Sequence, residues 1–230
     1  SYISAERLYM SGETERGTNA LNEYLSNFPN GMFQLNAQFY KADAALNQQK
    51  FDEALAGFEQ VLNRPNNLFT ERALLASSQL NYRNKNYSQA KKQFSRLTQM
   101  AEIPENVKLA KVGYMRSVYS LKEYENTIQA ANDVLEAAKS KEELIREAKY
   151  KRGKSYLNLG NTVAASNDFK ELAKETQSVE GAESKYLLAK VYFENGQYDL
   201  AEKEINGFIE MNSPHHYWLA ESFLLLSDVF

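Results

Sequence analysis

The sequence contains no cysteine, one tryptophan, two histidines and four prolines among its 230 residues. The absence of cysteine excludes both a disulfide framework and thiolate metal sites. Four prolines and ten glycines are few for this length, which favours long helices over strands joined by turns. No stretch approaches the roughly eighteen consecutive apolar residues of a transmembrane helix, so the sequence predicts no membrane span.

Charge and composition indicate a globular chain. Hydrophobic residues make up 43% of the sequence and charged residues 25%, while the net charge is −3. This balance lies outside the range of disordered proteins, and the length allows a sizeable core. A slightly acidic chain also lacks the basic surface of a nucleic-acid-binding protein, so we expect no nucleic-acid partner.

Catalytic and cofactor motifs are missing from the sequence. It has no glycine-rich phosphate loop and no zinc-protease helix motif. His215 and His216 follow Pro214, and adjacent residues do not share a helix face, so we interpret them as exposed turn residues. Carboxylate pairs such as Glu142 and Glu143 stand at predicted helix starts, where they complement the helix dipole. The sequence therefore predicts no enzyme, no cofactor and no metal site.

The main signal is an internal repeat, in which an aromatic residue is followed by alanine, a bulky apolar residue and another apolar residue. Its copies begin 34 to 38 residues apart. They are Phe51-Ala54-Phe58-Val61, Tyr87-Ala90-Phe94-Leu97, Tyr124-Thr127-Ala131-Val134, Thr162-Ala165-Phe169-Leu172 and Tyr198-Ala201-Ile205-Phe208, after a weak copy at Gly17, Ala20 and Tyr24. We call it the second-helix pattern, because the spacing i, i+3, i+7, i+10 lies on one helix face. The sequence predicts another helix before each copy, as in 182–193 before Tyr198.

This pattern resembles that of the tetratricopeptide repeat family across nearly the whole chain. The family has a Leu-Gly pair and a tyrosine in the first helix, and Ala-x3-Phe in the second. The best match is Leu188-Ala189, Tyr192, Gly196, Tyr198 and Ala201, and Gly153, Tyr156 and Gly160 form another. The tryptophan of the family pattern is absent from every repeat, and the spacing exceeds the usual 34 residues.

The resemblance implies an all-α fold, namely a right-handed superhelical α-solenoid of about six helix hairpins plus a terminal unpaired helix. We expect a single domain over 1–230, and we expect this domain to be a fragment of a longer chain. Its expected repeats are 1–30, 31–66, 67–103, 104–140, 141–178, 179–213 and a partial copy over 214–230.

In the family, the first helices of the hairpins line a concave groove. By register, eight cationic and aromatic residues are predicted to line it and to bind a partner: Arg116, Lys154, Lys190, Tyr82, Tyr119, Tyr150, Tyr186 and Phe193. Such side chains suit an acidic or aromatic ligand, because they combine contact area with polar tips. The alternative is that the aromatic residues pack between repeats and the cations are merely solvated.

The predicted function is a scaffold that binds a protein or peptide in this groove. The alternative is a structural or assembly segment of a larger multidomain protein of the cell envelope. An apolar terminal helix favours a homodimer through 214–230. The composition, rich in lysine, asparagine and tyrosine, resembles bacterial tetratricopeptide proteins of the cell envelope, so we favour the periplasm or envelope over the cytoplasm.

Overall fold

The computed structural model describes residues 1–138 and 141–229. Residues 139, 140 and 230, and the side chains of Asp228 and Val229, lie outside this description, and so do the ends of the predicted repeats 104–140 and 214–230. The described residues form thirteen α-helices and no strand. They divide into two compact units, unit 1 over Ser1–Ser117 and unit 2 over Val118–Phe230.

Each unit is built from consecutive helix hairpins. In unit 1 the helices are α1 Tyr2–Met10, α2 Thr14–Asn27, α3 Gln34–Asn47, α4 Phe51–Leu62, α5 Thr70–Arg83, α6 Tyr87–Met100 and the first part of α7 Pro104–Ser120. In unit 2 the end of α7 is followed by α8 Tyr124–Ala138, α9 Glu142–Asn158, α10 Thr162–Leu172, α11 Val179–Glu194, α12 Tyr198–Glu210 and α13 His216–Val229. Each of the six full repeat ranges contains two helices, so the all-α hairpin class is confirmed.

The second-helix pattern forms the interior of the hairpins. In α4, Ala54, Phe58 and Val61 are buried, and in α12 Ala201 and Ile205 are buried as well. The alanine has little side chain, which allows the first helix of the hairpin to approach closely while the larger residues fill the space beside it. The periodicity of these apolar residues therefore corresponds to the observed core.

The six turns inside the hairpins share one geometry. One residue in each has positive φ: Gly12, Gln49, Lys85, Lys122, Gly160 and Gly196. The following residue donates its backbone N–H to a carbonyl in the last turn of the first helix, as from Gln197 to Tyr192 at 2.9 Å. This is the Schellman closure, in which a left-handed residue satisfies carbonyls that the helix end leaves without partners.

Candidate binding face of the first helices

All eight predicted binding residues lie on the first helices of hairpins. Tyr82 is on α5 and Arg116 on α7 in unit 1. In unit 2, Tyr119 lies in the last turn of α7, and the other five lie on α9 and α11. We call this surface the first-helix face and describe it separately for each unit.

In unit 2, two of the predicted residues share an acidic partner that the sequence analysis did not select. The Tyr150 hydroxyl donates to Glu183 Oε2 at 2.5 Å, and Lys154 Nζ donates to Glu183 Oε1 at 2.6 Å. Glu183 itself is only 8% exposed. We call Tyr150, Lys154 and Glu183 the Glu183 cluster. It joins α9 to α11, so Lys154 is held in an ion pair rather than simply solvated.

A second lysine lies against Tyr119 beside this cluster. Lys151 Nζ is 4.3 Å from the centroid of the Tyr119 ring, which is the geometry of a cation–π contact. Lys151 also lies 3.7 Å from Glu147 on the same helix. The structure thus brings Tyr119, Tyr150 and Lys154 together with two residues that the sequence analysis missed, Lys151 and Glu183.

Burial controls the ionisation of the tyrosines in this region. Desolvation raises the pKa of Tyr150 well above its ordinary value, and the hydrogen bond and negative charge of Glu183 raise it further. Burial also raises the pKa of Tyr119, while the charge of Lys154 opposes part of that increase. Both hydroxyls therefore remain neutral donors over the physiological pH range.

Unit 1 contains a related arrangement on α1, α3 and α5. The Tyr9 hydroxyl donates to Asp43 Oδ2 at 2.8 Å and accepts from Asn47 Nδ2 at 2.9 Å. Arg72 Nη2 lies 3.5 Å from the same Asp43 oxygen, and its guanidinium carbon is 4.6 Å from the Phe39 ring centroid. In both units, a carboxylate on one first helix accepts a hydrogen bond from a tyrosine hydroxyl on the preceding first helix.

The three predicted cations have different surroundings. Lys190 is 46% exposed, and its nearest ion-pair partner is Glu194 on the same helix at 3.9 Å. Such an exposed pair contributes at most a few tenths of a kcal/mol, so Lys190 is available to a partner. Lys154 is engaged by Glu183, whereas Arg116 is half-buried.

The remaining predicted aromatic residues make contacts inside the fold. Tyr82 packs against Tyr87 of its own hairpin with ring centroids 5.2 Å apart, and Phe193 packs against Tyr198 at 5.4 Å. Tyr186 stacks on Trp218 of α13 at 5.6 Å. All three predicted residues stay half-buried, so each has both a packing role and an exposed edge. A role in binding stays a prediction for these residues.

A sequence signal for the acidic partners did exist. Glu147 and Glu183 each stand three positions before a predicted binding residue, on α9 and α11. Residues three apart occupy one helix face, so this column runs beside Tyr150 and Tyr186. Reading that column together with the lysines would have indicated the Glu183 cluster.

Within the described part of the chain, no group of three histidine or acidic residues could hold a metal ion. His215 lies in the connection before α13, where its Nε2 is 3.0 Å from the Gln177 carbonyl oxygen. None of the described helices is long and apolar enough to cross a lipid bilayer.

The hairpins of both units define an all-α repeat protein whose structural element is a pair of helices. The model of the tetratricopeptide repeat family matches residues 39–106, 150–214 and 186–229. The chain belongs to the tetratricopeptide repeat family. A comparison with curated protein sequences found no match.

Solved structures with a similar fold include MamA MSR-1 C2, which is 17% identical, with 79% of this chain and 99% of that chain covered and a TM-score of 0.57. The apo form of RapI is 16% identical, and the match covers 76% of this chain and 69% of that chain with a TM-score of 0.57. A chain of the Naa15/Naa10 complex bound to HypK-THB is 17% identical, and the match covers 99% of this chain and 33% of that chain with a TM-score of 0.58. At these identities the likeness is one of fold.

Proposed function

We propose that this chain is a scaffold that binds a protein or peptide on the first-helix face of unit 2. The observation that carries the proposal is the combination of the exposed Lys190 with the half-buried rings of Tyr119, Tyr150 and Tyr186. Aromatic rings with polar tips and an available cation are the groups that dominate protein interfaces. The complex of Naa15/Naa10 with HypK-THB gives an example of this fold in a protein assembly.

The expected ligand is acidic or aromatic and meets a surface that is already ordered. Glu183 neutralises Lys154, so Lys154 contributes position and packing more than net charge. Lys190 supplies the charge that an acidic partner would contact, and the hydroxyls of Tyr119 and Tyr186 supply neutral donors, because the Tyr150 hydroxyl already donates to Glu183. A preorganised face of this kind loses little side-chain entropy on binding.

A displayed-peptide library selected on the full chain provides the ligand for a direct test. The affinity of the enriched peptide is then measured for the wild type, Lys190→Glu and the control Lys203→Glu, whose lysine is exposed on the second helix α12. We expect Lys190→Glu to weaken binding by about tenfold, since like charges at an interface repel. Equal affinities for all three proteins would contradict the proposal, and so would equal losses in both variants.

Exposed apolar residues on α13 favour the second candidate, an assembly role through a second copy of the chain. Tyr217 and Leu224 are each 64% exposed, whereas Phe39 and Val112, at the positions that match Leu224 on α3 and α7, are buried. Light scattering over a range of concentrations tests this candidate. A dimer that Leu224→Lys converts to a monomer would support it, and a monomer at every concentration would contradict it.

A further inference from the structure

Unit 1 contains a cleft away from the first-helix face. Its volume is about 270 Å³, and it is lined by residues of α2, α3 and α4. The α3 wall presents Gln34, Gln38 and Lys41, which are spaced i, i+4, i+7 and share one helix face. The α4 wall presents Gly57 and Gln60. These α3 residues lie on the side of the helix opposite to Asp43 of the first-helix face.

Arg64 fixes the orientation of both glutamines. Its Nη2 donates to Gln34 Oε1 at 2.8 Å and to Gln38 Oε1 at 3.2 Å. Because a guanidinium has only donors, each glutamine must present its oxygen to Arg64. Their amide NH₂ groups are then the hydrogen-bonding groups that remain for another partner.

Lys41 completes this row of donors along α3. Among the described residues, no carboxylate is within ion-pair distance of its ammonium group, and this includes Glu53 on the opposite wall. Gln34, Gln38 and Lys41 thus present two amide donors and one positive charge to the same cleft, so the α3 wall favours an acceptor with negative charge.

The hairpin of α9 and α10 has different residues at the same positions. Aligning the buried alanines Ala54 and Ala165 places Gly57 opposite Asp168, and the same register places Lys41 opposite Arg152. Arg152 donates from Nε and Nη2 to the two Asp168 oxygens at 2.9 and 2.6 Å. In α9–α10 the cation is therefore neutralised by a carboxylate that α4 does not have.

The two hairpins differ because the small residue that lets the helices approach closely lies on the first helix in α9–α10 and on the second helix in α3–α4. In α9–α10 the close approach is provided by Gly153 on the first helix, where an added Cβ would lie 3.2 Å from Asp168 Cβ. In α3–α4 it is provided by Gly57 on the second helix, where an added Cβ would lie 2.7 Å from Ala42 Cβ. Position 57 consequently has no side chain, and space remains in front of Lys41.

The hairpin of α5 and α6, which follows α3–α4 in the chain, shows that the cleft is not a general property of the fold. One repeat later, Leu74 and Ser77 stand at the positions of Gln38 and Lys41, and Gln93 stands at that of Gly57. All three are buried, at 0%, 0% and 6% exposure. There these positions are filled by buried side chains of the chain itself.

We propose that the cleft between α2 and α4 binds the carboxylate side chain of an acidic peptide segment, which takes the place that Asp168 occupies in α9–α10. Lys41 pairs with the carboxylate, and the amide groups of Gln34 and Gln38 donate to it or to the adjacent peptide carbonyl. Three donors over seven helical residues span about 10 Å, or roughly three residues of extended peptide. A volume near the lower limit of ligand pockets likewise fits a short segment.

Nuclear magnetic resonance of the full chain with acetylated and amidated tripeptides tests the proposal. Ala-Glu-Ala should shift the side-chain amide signals of Gln34 and Gln38 in a saturable way, and Ala-Gln-Ala should not. Lys41→Ser should weaken the Ala-Glu-Ala affinity by at least about tenfold, because a charge-assisted bond is lost. Lys92→Ser, which alters an exposed lysine of α6, is the matched control and should leave the affinity unchanged.

A double variant tests the comparison between hairpins. Ala42→Gly/Gly57→Asp gives α3–α4 the residues of α9–α10, so an internal carboxylate should occupy the cleft and abolish tripeptide binding. Circular dichroism shows whether this variant folds, and Lys41→Ser decides the question if it does not.

The proposal is overturned by the absence of shifts up to about 10 mM peptide. It is also overturned by equal binding of Ala-Gln-Ala, by full affinity in Lys41→Ser, or by tighter binding of Ala-Ala-Ala with a free C-terminal carboxylate. The first-helix face does not enter this measurement, so failure here leaves the proposed function intact.

Discussion

Tyr150 on α9 and Glu183 on α11 are separated by 33 residues in the sequence and share a hydrogen bond of 2.5 Å. Lys154 occupies the other oxygen of the same carboxylate at 2.6 Å. One buried carboxylate thereby receives a neutral donor and a cation from the preceding first helix. In this environment an ion pair of good geometry is retained, but removing one partner leaves the other poorly solvated.

The Glu183 cluster should contribute measurably to stability. We expect Glu183→Ala to lower the free energy of unfolding by about 2–3 kcal/mol, because Tyr150 and Lys154 would both lose a charge-assisted partner. Glu194→Ala is the control, since that carboxylate belongs to an exposed pair with Lys190, and its effect should stay below about 0.5 kcal/mol. Urea denaturation measures both, and equal effects would show that the cluster has no special role.

The raised pKa of Tyr150 predicts a loss of stability at alkaline pH. Its folded pKa lies above the unfolded value of 10.0, so its contribution is complete below pH 10 and decreases as the pH rises beyond it. In that window each such tyrosine lowers the unfolding free energy by up to about 1.4 kcal/mol per pH unit. Tyr150→Phe should therefore show a shallower decline than the wild type between pH 10 and pH 11 in urea denaturation. Parallel declines would contradict the assignment.

Turn geometry predicts opposite effects at two equivalent positions. Lys85 has a φ of 61° and Gly196 a φ of 73°, each at the left-handed residue of its hairpin turn. A side chain is disfavoured there, so Lys85→Gly should raise the unfolding free energy by up to about 1 kcal/mol, while Gly196→Ala should lower it by about as much. Thermal unfolding of both variants gives the comparison, and the same sign for both would refute the strain argument.

The alanine of the second-helix pattern should not tolerate a large residue. Ala201 is fully buried between α12 and its neighbours, so Ala201→Trp should overpack the last hairpin and cost at least about 1–3 kcal/mol. Lys203→Trp introduces the same ring at an exposed position of the same helix and should have little effect. Chemical denaturation distinguishes the two, and a neutral Ala201→Trp would mean that the register is wrong.

The hairpin interior could be predicted from the sequence because it depends on local periodicity. Ala54, Phe58 and Val61 lie on one helix face at any orientation of the neighbouring helices, and that face must be covered. The left-handed residue of a hairpin turn was predictable where it is a glycine, at Gly160 and Gly196. The polar residues around Gln49 and Lys85 also indicate turns, but a positive φ at these two residues was not predictable, because the surrounding helices impose a conformation that the residue type does not favour.

The surface of the first helices was predictable only in part. The sequence places Lys154 and Tyr150 one turn apart, but it does not give the distance between α9 and α11 on which the bond to Glu183 depends. The same limit applies to the cleft in unit 1. Gly57 and Asp168 occupy equivalent positions, and only the packing against Ala42 and Gly153 shows why one site is empty and the other filled.

The uniform closure of the six hairpin turns has a consequence for how such a chain can change. Each turn completes its own backbone hydrogen bonds locally, from the residue after the left-handed position to the end of the preceding helix. Duplicating or deleting one whole hairpin would leave the geometry of every other turn intact. A difference such as Gly57 against Asp168 can thus arise in one copy alone, so individual hairpins are free to acquire separate ligands while the rest of the array keeps its architecture.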